Sequence, residues 1–306
     1  QEFINGSNQM DLIITPSEFT KEGLVKTVYT QVDKQTQQKT GQLKLEKPVE
    51  VLFEGVDTTI FNGKSSKSIL DSVDTDFNFL FVGHWLAGDL GHDRKDVASL
   101  VKTFIETFKN TDNAPALVLK TSRGTHSPID KYDLMNSIKE VKEQCVYKKA
   151  PSIYLLHGEL SDTQMNELYN HPKIKAMVSF TKGEGFGRPL LEFSTTGKPI
   201  IAPNFSGHVD FLDKEMSAML PGALVDVHKD SIPKDYMFEG AQWFQVDFAA
   251  GSHFLKDIFT NYDKWLTKSY AQKIANEQFT LNGMTEKLAK IIKPYVENIP
   301  EHVAVN

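Results

Sequence analysis

The sequence predicts a doubly wound α/β domain, a parallel sheet with helices on both faces, preceded by a smaller fragment of a second α/β domain. Three observations predict it. From Phe77 onward, short apolar runs alternate with stretches of helical period, the pattern of strands that each feed a crossover helix. A glycine-rich segment, Thr181 to Glu192, falls between one such run and one such helix. Ahead of Phe61 the chain carries only a strand, a helix and the start of another strand, too little for a free-standing domain of on the order of 100 residues.

The runs that read as strands are Phe77 to Val82, Ala116 to Lys120, Ile153 to His157, Ala176 to Phe180 and Pro199 to Ala202. Helices are expected between them at about Arg94 to Phe108, Lys131 to Gln144, Asp162 to Tyr169 and Pro189 to Thr195, each near the length a right-handed crossover requires. Earlier, Asp11 to Thr15 reads as a strand. Thr15, Pro16 and Glu18 then stand in the order of a cap, a first-turn proline and a capping-box glutamate, opening a helix to about Tyr29. Gln31 to Lys47, rich in Gln, Lys and Thr, reads as a mobile surface loop, and Val49 opens a second strand. Residues 1–61 are therefore expected to be the residual part of an amino-terminal domain, with an apolar face left bare for self-association, and residues 62–306 the main domain. Helical period from Phe254 to Val296, broken near Ser269 and at Asn282-Gly283, is expected to wrap that domain's outside.

Composition narrows the function. A content of 40% hydrophobic and 24% charged residues over 306 positions is globular and long enough to bury a sizeable core. The formal net charge of -6 argues against general nucleic-acid binding, which needs a surplus of Lys and Arg on one face. A single cysteine, Cys145, excludes an internal disulfide or a multi-thiolate metal site and reads as an inert thiol. No run approaches the roughly 20 apolar residues of a membrane span, and the amino terminus does not open a signal peptide, so a soluble, cytoplasmic chain is expected.

The chemistry concentrates in Thr181 to Glu192. Gly183, Gly185 and Gly187 let backbone approach a ligand closely, and Pro189 fits a first helical turn. The helix start then offers N–H groups to a phosphate or a sugar hydroxyl. Glu184 in the loop and Glu192 one turn into the helix can reach different parts of one extended ligand, such as a sugar and a ribose.

Glu184 and Glu192, with seven residues between them in this glycine-rich setting, resemble the paired-glutamate (E-x7-E) signature of glycosyltransferase family 4 and its relatives. The resemblance extends to Phe77–Gly83 with Arg94-Lys95, similar to the family's first donor-domain strand and basic loop. It includes Glu54-Gly55-Val56-Asp57, similar to the interdomain crossing, and Asn8 to Leu24, similar to the end of the acceptor domain. It implies the two-Rossmann-domain (GT-B) architecture, with this chain carrying the nucleotide-sugar half. It also implies a retaining hexosyl transfer from a nucleoside diphosphate sugar to an acceptor the sequence does not name, without a metal or other cofactor. Lys95 falls on the position of the family's diphosphate lysine. His84 replaces the usual arginine, and Arg94 or Lys120 is available to supply the missing charge. The family further implies that Glu192 binds ribose. Glu184, with the backbone of Gly185, Phe186 and Gly187, would hold the transferred sugar, His157-Gly158 with Leu160 would contact the base, and Arg188 is a further donor-binding candidate. Glu184 and Lys95 are then the catalytic candidates.

Each residue also has a plainer reading by type alone: Glu192 as a solvated helix carboxylate, Lys95 as a first-turn surface lysine, Arg188 as a helix-start solvator and His208 as a helix-start residue. His92 and His126 read as surface histidines without metal-ligand spacing, and Trp243 and Phe244 as core. Two other functions fit the same residues, a nucleotide-sugar-binding module without turnover and a sugar-nucleotide epimerase of like architecture.

Overall fold

The computed structural model describes residues 1–33, 35–63, 68–86, 90–231 and 240–296. Two compact units divide the chain, one formed by Gln1–Asp57 with the chain from Gln278 on, the other by Thr58–Glu277. The first unit opens with α1 (Glu2–Ser7), β1 (Ile13–Thr15), α2 (Glu18–Val25), β2 (Val28–Val32), β3 (Lys39–Lys44) and β4 (Val49–Val51). The second runs through β5 (Asn78–Val82), α3 (Val97–Phe108), β6 (Ala116–Lys120), α4 (Pro128–Glu143), β7 (Ile153–Leu156), α5 (Asp162–Asn170) and β8 (Ile174–Val178). It continues through α6 (Arg188–Ser194), β9 (Ile200–Pro203), β10 (Ala218–Leu220), β11 (Gly222–Asp226), β12 (Gln242–Val246), α7 (Phe248–Thr260) and α8 (Tyr262–Ala275). The chain then returns to the first unit as α9 (Leu281–Val296). The sequence reading assigned all the terminal helices to the sheet domain. Among the described residues no helix is long and apolar enough to cross a membrane.

In the second unit six parallel strands stand in the order β10-β9-β8-β5-β6-β7. Numbered by appearance this is the doubly wound order, and the direction of winding reverses between β5 and β8, where the carboxyl ends of the strands open a crevice. Phe79, Leu80 and Phe81 of β5 are fully buried on both faces, as a central parallel strand requires. The apolar stripe of α3 (Leu100, Val101, Phe104, Ile105) covers one face, and Phe77, Phe79, Phe104, Phe108 and Phe259 meet edge-on or tilted beneath it. Each such side chain contributes about 1.5–3 kcal/mol relative to exposure. An antiparallel ribbon, β11 with β12, joins Gly222↔Val246 through Asp226↔Gln242. Neither this ribbon nor β10 was read from the sequence.

Several expected boundaries shift for identifiable reasons. Helix α2 takes Ser17, not Thr15, as its cap, since the Ser17 hydroxyl accepts from the Thr20 N–H at 3.2 Å, and it ends at Val25 because Val28 already enters a strand. The expected mobile loop of Gln31 to Lys47 is instead largely the β2–β3 hairpin. Asp33 Oδ1 closes its turn by accepting from the N–H groups of Gln35 at 2.9 Å and Thr36 at 2.7 Å. Both strands are solvated on both faces, so no apolar alternation marked them. The expected break at Ser269 lies inside α8, where the hydroxyl donates to the Trp265 carbonyl at 2.8 Å, and the break falls at Asn261 instead.

The run Glu54 to Asp57 lies against the strand-like entry to α9. Val56 donates to the Phe279 carbonyl and accepts from Leu281, both at 2.9 Å. A Cβ on Gly55 would stand 2.5 Å from the Thr280 carbonyl oxygen, so only glycine permits this approach. Gly55→Ala is therefore expected to lower unfolding stability by about 1–3 kcal/mol through backbone displacement. An unchanged denaturant midpoint would show that the two segments do not meet this closely.

Candidate functional site

The switch point between β5 and β8 carries the segment singled out in the sequence. The loop after β5 brings Arg94 and Lys95, the loop after β8 brings Thr181 to Gly187, and the Lys182 N–H donates to the Arg94 carbonyl at 2.8 Å, locking the two together. The loop after β9 closes the other side. Ser206 Oγ accepts from the Glu184 N–H at 2.9 Å, and the Gly207 N–H donates to the Glu184 carbonyl at 3.0 Å. Glycine is obligatory here, since a Cβ on Gly207 would lie 2.1 Å from the Gly185 oxygen and Gly187 adopts φ 97° at the cap of α6.

The charged side chains converge across this crevice. The Lys95 ammonium ion-pairs with Glu184 Oε1, while Arg94 Nη1 donates to the Gly183 carbonyl at 2.6 Å and lies 3.4 Å from Glu184 Oε2. Lys95 and Glu184 retain only 15% and 12% of their side-chain exposure, whereas Arg94 keeps 51%. Burial pushes the Glu184 carboxyl up, but Lys95 and then Arg94 outweigh it and hold the group below its usual range. Glu184 is thus an ionised acceptor. The Lys95 stem runs along Gly83, where a Cβ would sit 3.5 Å from its Cε.

The remaining candidates occupy the same carboxyl edge without joining that cluster. His84 is exposed at the end of β5, its Nδ1 3.0 Å from Ser122 Oγ. Lys120 at the end of β6 donates to the Gly158 carbonyl at 2.7 Å, its pKa lowered by burial against the opposing pull of Glu159. His157 turns to Asp130, with Nε2 2.9 Å from Oδ2. Burial raises the Asp130 carboxyl, but His157 and the Arg123 N–H outweigh it and leave the group lowered. Gly158 adopts φ 117°, and Leu160 is half-buried. Glu192 is buried and doubly engaged, accepting from Arg188 Nε at 2.8 Å and from the Tyr169 hydroxyl at 3.1 Å, and burial raises its pKa. Phe186 packs 5.0 Å from Phe211 with 2% exposure, so its side chain belongs to the core and only its backbone faces the loop.

Sequence reasoning gave no role to several residues that hold this arrangement. Asp93 is buried beneath the basic turn, where desolvation outweighs hydrogen bonds from the Lys95 and Val97 N–H groups and raises its pKa to about 6. Asp96 and Lys182 are buried nearby, and Tyr169 stands behind Glu192. His208 is fully buried, with Nε2 2.6 Å from the Pro203 carbonyl, and burial lowers its pKa. His92 stacks on His228 with ring centroids 4.1 Å apart, a ring partner its reading as a surface residue lacked. Cys145, Trp243 and Phe244 are buried, as expected. Among the described residues no group of three or more His, Cys, Asp or Glu is placed to hold a metal ion.

No family model and no curated protein matches the sequence. Solved structures do. A sucrose-phosphate synthase from Thermosynechococcus elongatus is similar over 97% of this chain and 61% of its own, at TM-score 0.66 and 13% identity. A glycosyltransferase from Rickettsia africae matches 98% of this chain and 68% of its own, at TM-score 0.63 and 16% identity. Anabaena HepE, in complex with UDP and glucose, matches 96% of this chain and 66% of its own, at TM-score 0.62 and 13% identity. The chain thus spans 61–68% of the length of these structures. At these identities the likeness is one of fold: the six-stranded parallel domain is Rossmann-like, consistent with the GT-B architecture of these neighbours.

The buried carboxyl of Asp93 makes a pH prediction. Its folded pKa of about 6 lies above the ordinary carboxyl value of 3.8, so the stability tied to its neutral form is present below pH 3.8 and is lost as pH rises through about 6. Relative to Asp93→Asn, the wild type should lose stability across that window by at most about 1.4 kcal/mol per pH unit. Thermal melts of both proteins between those pH values decide it, and a constant difference in Tm would remove the buried acid from the account.

Proposed function

We propose that this chain carries the donor half of a retaining glycosyltransferase, similar to family 4, which moves a sugar from a nucleoside diphosphate to an acceptor. The observation that carries this reading is the Lys95–Glu184 pair at the switch point of the sheet, framed by glycines. Within the crevice each charge answers the other. A bound donor would divide them, its diphosphate taking Lys95 and Arg94 and its sugar hydroxyls donating to Glu184. Glu192 already accepts two hydrogen bonds, yet a carboxylate has about four lone-pair sites, leaving room for ribose hydroxyls.

Departure of the nucleotide places negative charge on the diphosphate while the sugar becomes oxocarbenium-like. In this reading Lys95 would stabilise the first and Glu184 would orient the second. In this reading the acceptor hydroxyl attacks from the same face, passing its proton to the departing phosphate, which would retain configuration without a protein nucleophile. HepE was solved with UDP and with UDP-glucose, which makes uridine donors the first to assay here. Release of nucleoside diphosphate together with a glycosylated product supports transfer. Binding without either would favour a donor-binding module, a reading to which the exposed His84, in place of an arginine, lends some support.

Two measurements test the assignment. Glu192→Ala should weaken free nucleotide and nucleotide sugar alike by about 1.5–3 kcal/mol, the value of hydrogen bonds to a charged group, whereas Glu184→Ala should spare the free nucleotide and weaken only the sugar-dependent affinity. Equal losses of bare nucleotide in both variants would misplace the donor. Since Lys95 and Arg94 meet the diphosphate charge in this reading, a chelator should leave affinity unchanged. A large loss restored by magnesium or manganese would overturn the metal-free site.

A further inference from the structure

Lys182, in the glycine-rich segment, turns its long side chain away from the crevice into the protein, with 2% of its surface exposed. Its ammonium donates to the Gly91 carbonyl, stands 3.9 Å from Asp96 Oδ2 and lies 4.0 Å above the ring of Trp243. Its backbone is held at both ends, the N–H donating to the Arg94 carbonyl at 2.8 Å and the carbonyl accepting from Phe244 at 3.0 Å. Gln245 completes the cluster by donating from Nε2 to the same Asp96 oxygen at 3.2 Å. Three segments meet on this lysine: the basic turn 91–96, the glutamate loop and strand β12.

Burying an ammonium is costly unless it is paired and hydrogen-bonded, and this one has a carbonyl, a carboxylate and an aromatic face. Asp96 in turn caps α3 in the left-handed conformation (φ 50°), which a non-glycine residue holds only when its surroundings fix it. The cluster therefore determines the path of residues 91–96, and with it where Arg94 and Lys95 project. Nothing in the cluster reaches the crevice. Its effect on chemistry is exerted through the turn.

Resting on the reading of the crevice as a donor site, we propose that Lys182 is a positioning residue, which with Asp96, Trp243 and Gln245 holds the Arg94–Lys95 turn against the Glu184 loop. The β11–β12 ribbon is then a clamp on the donor's phosphate site, and a second contact of the turn, the stack of His92 on His228 just after β11 with ring centroids 4.1 Å apart, agrees with that role.

The test is amide hydrogen exchange on the intact chain, together with binding of UDP, ADP and GDP and the corresponding monophosphates. In Lys182→Met, amides of residues 91–97 and 183–187 should exchange about tenfold faster while strands β5 to β7 keep wild-type protection. Affinity for the diphosphate that binds the wild type should fall about tenfold, the monophosphate should change little, and Lys182→Arg, which can stack on Trp243, should restore both. Should Lys182→Met fail to fold, Gln245→Leu removes one hydrogen bond from Asp96 and should raise exchange in the same two segments by a smaller factor. Wild-type exchange at 91–97 in the variant that folds, or acceleration spread evenly over the core strands, overturns the proposal. A wild-type chain that binds none of the nucleotides strikes the donor-site reading instead, while the exchange pattern still decides the brace.

Discussion

The ion pair between Lys95 and Glu184 is the contact on which the site depends. Two opposite charges with little solvent access attract strongly, but each is costly to desolvate, so the pair is stable only if its remaining valences are met and its geometry is held. The fold meets both needs. The loop backbone is fixed by Ser206 and Gly207, Arg94 shares the Glu184 carboxylate, and the turn carrying Lys95 is tied to the glutamate loop through Lys182. The two partners come from the loops after β5 and β8, the strands between which the winding reverses. A doubly wound sheet opens its crevice there because the crossover helices leave in opposite directions, and a pair spanning that gap needs no further scaffold.

Space imposes the second constraint. For the loops after β8 and β9 to lie within hydrogen-bonding distance, backbone must pass backbone with no side chain between, which Gly207 against Gly185 permits. Gly187 then turns the chain through a left-handed cap into α6, so Glu184 lands in the crevice while Glu192, one turn on, faces the buried Tyr169. The spacing of the two glutamates along the chain therefore sends them to different surroundings.

Much of this was legible in the sequence, and the limits follow from what periodicity can carry. Strand β6 was readable to the residue because a strand buried on both faces is a continuous apolar run, and the crossover helices were readable from their apolar stripes. The β2–β3 hairpin was not, because solvated strands carry no such signal, and β11 was hidden in the same way by exposure along its whole length. At the site, residue types and spacing singled out Glu184 and Glu192, and the family resemblance singled out Lys95. They could not show that Tyr169 stands behind Glu192, that Asp130 captures His157, or that Lys182 points inward onto Trp243, since those partners are distant in sequence and meet only through the folded sheet.

The two carboxylates illustrate why placement matters more than identity. Both are largely buried, and burial alone would raise both pKa values. Two cations, Lys95 and Arg94, reverse that for Glu184, whereas Arg188 and the Tyr169 hydroxyl do not reverse it for Glu192. A carboxylate held below its usual range stays ionised at neutral pH and accepts hydrogen bonds. One held above it gains more from every added donor, because each further hydrogen bond relieves a desolvation cost not yet offset. In the proposed function Glu184 would face the sugar on which charge changes, and Glu192 the hydroxyls that complete its shell. One short segment of chain thus provides two acceptors tuned in opposite directions by what the fold packs behind each.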